Sequence, residues 1–312
     1  MKPYQVILNP TAGHGNGARA LPMIRASLAR HNIAYDLTWT ERAGHAIQLA
    51  RQAAQNGAET IVSAGGDGTL NEVVNGLMQL PNTGGPLPDI GVLCVGRGND
   101  YAGSVGIPAD LDQACRILKE GVPRLMDIGR VRGGMFPEGR YFVNCVGVGF
   151  DAIATIEAAK LPRWGGFMSF MVAIFKTIFL YNRAPLASIE FDGQSFTQRS
   201  LMISIMNGRR LGGGFFMTPN SEPDDGLFDL CIAEQMSPLS IMRLIPHFMR
   251  GTHITQKKIK IRQAAGVMIT AHDGPLPAHM DGEIFSTEGR QIGVEMLPRR
   301  IKVICPPSQE KR

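Results

Sequence analysis

Glu59-Thr60-Ile61-Val62-Ser63-Ala64-Gly65-Gly66-Asp67-Gly68-Thr69-Leu70-Asn71-Glu72 is the stretch on which the fold turns. Glu59–Ala64 reads as a buried strand, the glycines as a tight turn, and Thr69–Leu80 as a helix. The same alternation extends on both sides. Tyr4–Leu8, Tyr35–Thr40 and Ile90–Val95 read as strands. Helices are expected around Ala20, Leu21, Ile24 and Leu28, over His45–Asn56 and over Leu111–Lys119. Strands alternating with helices predict βαβ units and a mostly parallel sheet with helices on both faces. Ligands on such sheets sit outside the carboxyl ends of the strands.

After about Asp127 the pattern changes. Short strand candidates dominate: Tyr141–Val148, Ala187–Phe191, Ser200–Asn207, Phe228–Ala233, Lys257–Arg262, Val267–Thr270 and Ile292–Leu297. Gly, Pro and Asp turns separate them, which predicts an antiparallel sandwich. Two helical inserts are expected, at about 165–181 and 238–250. The fold class is therefore α/β with two domains: a doubly wound domain over 1–128 and a β-rich domain over 129–296. Residues 297–312 form a C-terminal segment in which Ile301–Cys305 reads as a strand returning to the first domain. The tail from Pro306 to Arg312 is expected to fray.

Hydrophobic residues make up 44% of the 312 and charged residues 19%, which excludes wholesale disorder. The net charge of +5 fits anionic substrates or membrane surfaces and is too weak to argue nucleic-acid binding. Cys94, Cys115, Cys145, Cys231 and Cys305 are odd in number and widely spaced. Neither a disulfide framework nor a zinc site is expected, and a reducing cytosol is the natural compartment. His14, His45, His247, His253, His272 and His279 show no metal spacing. The N-terminal MKPYQVILNPTAG lacks the apolar region of a signal peptide.

Gly165 to Tyr181 is apolar except for Ser169, Lys176 and Thr177. It is short for a membrane span. A helix packed within the protein is expected, with contact to a bilayer as the alternative. Lys258, Lys260 and Arg262 alternate with Ile259 and Ile261, placing three cations on one strand face. That face is either solvated or a contact for an anionic membrane.

The opening stretch also carries chemistry. Its three glycines let the backbone approach a bulky ligand. A helix N-terminus offers unpaired N–H groups and a positive dipole end to phosphate. Asp67 is placed to hold a Mg²⁺ that bridges phosphate oxygens. The plainer alternative is a turn without ligand, in which Thr69 and Glu72 form a capping box.

This run resembles the diacylglycerol kinase catalytic domain, and more loosely NAD kinases and phosphofructokinases. Further motifs carry the resemblance in the family's order. They are Asn9-Pro10-Thr11-Ala12-Gly13, Gly96-Arg97-Gly98-Asn99-Asp100-Tyr101-Ala102 and Asn144-Cys145-Val146-Gly147-Val148-Gly149-Phe150-Asp151. Gly212-Gly213-Gly214, Pro223-Asp224-Asp225-Gly226-Leu227-Phe228-Asp229-Leu230 and Asp281-Gly282-Glu283 follow. The set spans nearly the whole chain and is most similar to the soluble bacterial lipid kinases.

The resemblance implies an active site in the cleft between the two domains and transfer of the ATP γ-phosphoryl to a lipid hydroxyl. It implies that Asn9, Pro10, Thr11, Ala12, Gly13 and Thr40 border the nucleotide. Gly65, Gly66, Asp67, Gly68, Thr69, Leu70, Asn71 and Glu72 would hold phosphates and metal, with Arg97, Gly98, Asn99 and Asp100 beside them. Glu283 matches the general base, acting with Asp67 across the cleft. Asp225, with the backbone oxygens of Glu222 and Leu227, matches a structural Mg²⁺ site. Each has a structural alternative: Asp281-Gly282 is also a hairpin signal, Asp224-Asp225-Gly226 a turn, and Asn144 a residue that satisfies buried backbone.

One position departs from the family. Arg97 stands where the family carries Thr, a long cation in place of a small hydroxyl. It either pairs with phosphate or fills the site. Implied partners are ATP, Mg²⁺, diacylglycerol or a related lipid, and a transient membrane surface, with no nucleic acid. The enzyme is expected in the cytoplasm, peripheral to the membrane, and a homodimer stays open. The alternatives are an NAD kinase-like enzyme for a soluble substrate and a non-catalytic nucleotide- or lipid-binding regulator.

Overall fold

Four parallel strands lie between Tyr4 and Cys94. In order come β1 (Tyr4–Leu8), α1 (Ala12–Arg30), β2 (Tyr35–Trp39), α2 (His45–Gln55), β3 (Thr60–Gly65), α3 (Asp67–Met78), β4 (Asp89–Cys94), α4 (Asp100–Ser104) and α5 (Leu111–Glu120). There follow β5 (Val122–Gly133), β6 (Phe136–Phe142), β7 (Cys145–Gly149), α6 (Phe150–Lys160), α7 (Gly166–Leu180), β8 (Leu186–Phe191) and β9 (Gln194–Met206). The remainder is β10 (Arg210–Leu211), β11 (Phe215–Phe216), β12 (Phe228–Glu234), α8 (Pro238–Arg250), β13 (Ile259–Ala264), β14 (Gly266–Ala271), β15 (Ala278–Met280), β16 (Glu283–Ser286) and β17 (Gln291–Cys305). The computed structural model describes residues 2–81, 85–161, 166–181 and 183–307. Gly165 and the tail residues 308–312 lie outside the described residues.

The chain divides into two units, residues 1–126 with 299–312, and residues 127–298. In the first unit, β2, β1, β3 and β4 lie side by side and parallel. Val303 at the far end of β17 pairs in parallel with Ile90 of β4. β3 is buried along its whole length, as a parallel strand covered by helices on both faces must be. Ile24 and Leu28 of α1, Ala46 and Ala50 of α2 and Val73 and Leu77 of α3 are buried with it.

The second unit is antiparallel. β16, β15, β7, the second half of β9, β12 and β13 form one sheet. β8, β14 and the first half of β17 form another, joined to the first half of β9. The two halves of β9 thus serve different sheets. Period-two alternation divides the side chains. Val146, Val148, Ile203, Ile205, Leu230 and Ile232 join Ile189, Ile269, Ile292 and Val294 in one core. Cys145, Met202, Met206, Cys231 and Ala233 point the other way, into a second cluster with α6, α7 and α8.

Several local expectations are corrected. The strand expected over Tyr141–Val148 is broken between Phe142 and Cys145. The amides of Val143, Asn144 and Cys145 all donate to the Asp281 carboxylate rather than to a neighbouring strand. The helix after Gly66 begins at Asp67, two residues before Thr69, so the Thr69–Glu72 capping box does not form. Lys258 precedes β13, leaving Lys260 and Arg262 on the strand. The helix α6, not expected from the sequence, stands between β7 and α7.

Candidate functional site

Three loops converge at the carboxyl ends of β1, β3 and β4 within the first unit. Asn9 Nδ2 donates to Thr69 Oγ1 at 3.0 Å, and Asn9 Oδ1 accepts from the Thr11 amide at 3.1 Å. This ties the β1 loop to the first turn of α3. Gly13, His14 and Gly15, near the start of α1, interrupt the helix with φ of 58°, 60° and 83°. A Cβ on Gly13 would meet the Val95 carbonyl at 2.6 Å, and one on Gly96 would meet Gly66 Cα at 2.4 Å. Only glycine fits where the loops touch. Thr40 is buried and donates its amide to the Leu8 carbonyl. Gly65, Leu70 and Asn71 are buried, while Pro10, Gly66 and Gly68 are half-buried.

Asp67 is held by the third loop. The amides of Asp100 and Tyr101 donate to its two oxygens at 3.1 Å each, so Asp67 caps the short helix α4. The backbone amides of Asn99 and of Asp67 itself also support the carboxyl. Burial raises the Asp67 carboxyl above its usual range, and the amide bonds pull it part of the way back. Asn99 takes a left-handed conformation and donates to the Gly96 carbonyl at 3.2 Å. Arg97 and Gly98 are exposed, and Ala12 and Asp100 are buried. Glu72 turns away from this group. Its two oxygens accept the amides of Gly44 and Ala46 at 2.8 and 3.0 Å, capping α2.

In the second unit, Asp281 and Gly282 link β15 to β16 with φ of 46° and 85°, the positive pair of a type I′ hairpin turn. Glu283 follows and is exposed. Asp281 is buried, its Oδ1 accepting the amides of Asn144 and Cys145 and its Oδ2 that of Val143, each at 2.9 Å. Asn144 donates Nδ2 to the Arg210 carbonyl at 3.0 Å.

His279, Gly147 and Ser204 form one row across β15, β7 and β9. Asp151, on the first turn of α6, settles over Gly147, where a Cβ would meet its Oδ2 at 2.3 Å and His279 Nε2 at 2.4 Å. Ser204 Oγ donates to Asp151 Oδ2 at 2.7 Å, and His279 Nε2 lies 3.9 Å from the same oxygen. Burial raises the Asp151 carboxyl and lowers the His279 imidazole. From the sequence alone His279 shows only a lack of metal spacing, and Asp151 only its place in a motif. The available signal was alternation: Ala278 and Met280 are core-facing, so His279 faces the helices.

Asp225 sits in the turn before β12. Its Oδ1 accepts the Leu227 amide at 2.9 Å, and its amide donates to the Glu222 carbonyl at 3.4 Å. The Gly226 amide donates to Asp127 Oδ2 at 2.6 Å. Loss of hydration, then the charges of Asp127, Glu222 and Asp224, raise the Asp225 carboxyl. Such crowded oxygen donors suit a hard cation. Among the described residues no three His, Cys, Asp or Glu side chains converge as a metal cage, so a cation here would lean on backbone oxygens.

A cavity opens under α7 and α8. Its walls include Phe170 and Ile174 of α7, Leu244 and Phe248 of α8, and Leu201 and Met202 of β9; among the described residues that line it, Asp151 alone is charged. The outer side of α7 is apolar too, with Met168, Phe175, Phe179 and Leu180 exposed. Lys176 pairs with Glu157 of α6. Lys260 pairs with Glu234 at 2.9 Å. Among the described residues no helix is long and apolar enough to cross a membrane.

The family described as diacylglycerol kinase catalytic domain matches residues 3–131. The YegS C-terminal NAD kinase beta sandwich-like domain matches residues 144–305. Diacylglycerol kinase of Bacillus subtilis (strain 168) is 31% identical, over 100% of this chain and 99% of that protein. Diacylglycerol kinase of Staphylococcus carnosus (strain TM300) is 29% identical, over 98% and 95%. A diacylglycerol kinase structure from Bacillus anthracis str. Sterne superposes with a TM-score of 0.73 at 21% identity, covering 98% of this chain and 97% of that one. The NAD kinase of Archaeoglobus fulgidus in complex with ATP gives 0.51 at 15% identity, covering 99% and 94%, a likeness of fold. With both of its units matched and a relative aligned from end to end, the chain belongs to the diacylglycerol kinase catalytic-domain family.

Proposed function

We propose that the protein transfers the γ-phosphoryl of ATP to the hydroxyl of diacylglycerol or a related lipid, with Mg²⁺. The observation that carries the lipid half is the apolar cavity of the second unit. Among the described residues that line it, all but Asp151 are apolar. Burial of apolar surface is worth about 25 cal/mol per Å², so such walls favour an acyl chain over a soluble substrate. The helices above the cavity carry no acid in α7 or α8. With their exposed apolar side chains they are suited to rest on a bilayer and admit its lipid.

Phosphoryl transfer needs positioning and charge stabilisation more than covalent chemistry. In this reading the loops at Asn9–Gly13, Gly65–Glu72 and Arg97–Asp100 hold the nucleotide on backbone amides. Arg97 offers a guanidinium to phosphate. Asp67 would hold Mg²⁺, which would supply neutralisation of the developing phosphate charge. Asp225 with the backbone oxygens of Glu222 and Leu227 would hold a second, structural Mg²⁺. Glu283, exposed beside a rigid turn, accepts the lipid hydroxyl proton.

The test is transfer of γ-labelled phosphate from ATP to diacylglycerol, phosphatidylglycerol, a sphingoid base or a total lipid extract in mixed micelles. Labelled lipid that disappears in both Asp67→Ala and Glu283→Ala is the expected result. Labelled NAD without lipid would establish the soluble-substrate reading. ATP binding with no labelled product would leave a regulator, and Arg97→Thr would be the next variant.

A further inference from the structure

The turn that carries Glu283 is supported from below by a buried imidazole. The Gly282 amide donates to His279 Nδ1 across 3.4 Å, a long bond. An imidazole nitrogen that accepts carries no proton, so a neutral His279 must hold its proton on Nε2. Among the described residues that atom has no hydrogen-bond partner, but it faces Asp151 Oδ2 at 3.9 Å. A carboxylate on that side favours the Nε2–H tautomer, which keeps Nδ1 free for Gly282. Asp151 is itself fixed by Ser204 Oγ at 2.7 Å and by the Ala152 amide at 2.9 Å. Gly147 leaves the space in which the two side chains meet.

We propose that His279 is a positioning residue for the base: its Nδ1 fixes the Gly282 amide, and Asp151 fixes its tautomer. Ser204, Asp151, His279 and Gly282 thus form a chain running from β9 to the residue before Glu283. Asp151 also lines the apolar cavity, so the same chain joins the cavity wall to the base turn. The inference rests on the reading of Glu283 as base.

Two substitutions separate the two nitrogens of the ring. The oxygen of His279→Asn falls near Nδ1 and can still accept from Gly282. The amide of His279→Gln falls near Nε2 and keeps only the Asp151 side. Displacing a catalytic group by about an ångström costs roughly 100-fold in rate. His279→Gln is therefore expected to lower kcat on lipid roughly 10- to 100-fold with KM for ATP unchanged, and His279→Asn to stay within about 3-fold of wild type.

Glu283→Gln is assayed beside them. If it keeps full activity, the base reading fails. If it is inactive while His279→Gln matches wild type, or while both His279 variants fall equally, the positioning inference alone fails. Should the buried substitutions not fold, ¹⁵N-histidine NMR of the wild-type protein decides. An unprotonated Nδ1 on His279 is the expected result, and a protonated Nδ1 overturns the proposal.

Discussion

Asp281 accepts the backbone amide of Asn144 at 2.9 Å across a long stretch of chain. With Val143 and Cys145 it gathers three buried amides on one carboxylate, and so fixes the break between β6 and β7 to the turn before Glu283. Leaving a buried donor without a partner costs about 1–3 kcal/mol. Asp281→Ala orphans three, and relaxation returns part of the cost. The expected loss is about 3 kcal/mol or more by urea denaturation, with Asp281→Asn less affected because one oxygen remains. An Asp281→Ala protein as stable as wild type would show that these amides find other partners.

Glu72 lies in the Gly-rich segment, yet its carboxylate caps α2 through Gly44 and Ala46. A lost N-cap costs about 0.5–2 kcal/mol. Glu72→Ala should lower stability by that amount, and Glu72→Gln by less. If the stability is unmoved and only ATP affinity falls, the side chain serves the nucleotide instead.

Asp273 gives a pH signature. Hydrogen bonds from Arg199, then from the Leu186 amide, hold its carboxyl down to about 2. An unfolded Asp titrates near about 3.9. Between these values the unfolded chain binds more protons, so stability rises with pH. The contribution is complete above about pH 4 and is lost as pH falls through about 2. Asp273→Asn should therefore melt below wild type at neutral pH, with a gap that narrows below about pH 4. A gap that is constant across that range excludes this account.

The outer side of α7 gives the last test. Phe179 and Leu180 are exposed at 68% and 57%, so replacing them removes little core. The double variant Phe179→Ser, Leu180→Ser should keep the wild-type melting temperature within about 2 °C, since surface changes lie within about 0.5 kcal/mol. It should bind phosphatidylglycerol vesicles several-fold less in co-sedimentation. Unchanged vesicle binding would move the membrane contact elsewhere.

Local pattern made much of this legible. β1 spans the expected Tyr4–Leu8, and α8 fills the helical insert expected at 238–250. Polar groups whose partners are distant in sequence were not legible. Thr69 and Glu72 have the spacing of a capping box, but tertiary contacts drew Thr69 to Asn9 and Glu72 to α2. Tyr141–Val148 has no Gly or Pro before Gly147 to mark a break; the break exists because an aspartate much later in the chain takes three amides. The His279–Asp151 pair depends on the register of β15 on β7, which alternation within one strand cannot give.

The parallel pairing of Val303 with Ile90 has a consequence for synthesis on the ribosome. The first unit's sheet lacks its neighbour at β4 until residues far downstream have emerged, so the nascent chain presents an open edge while the second unit is still being made. Exposed edges of this kind recruit other strands. Slowing elongation through 127–298 should therefore raise the aggregated fraction of newly made protein, and a chaperone that shields β4 in that interval should lower it.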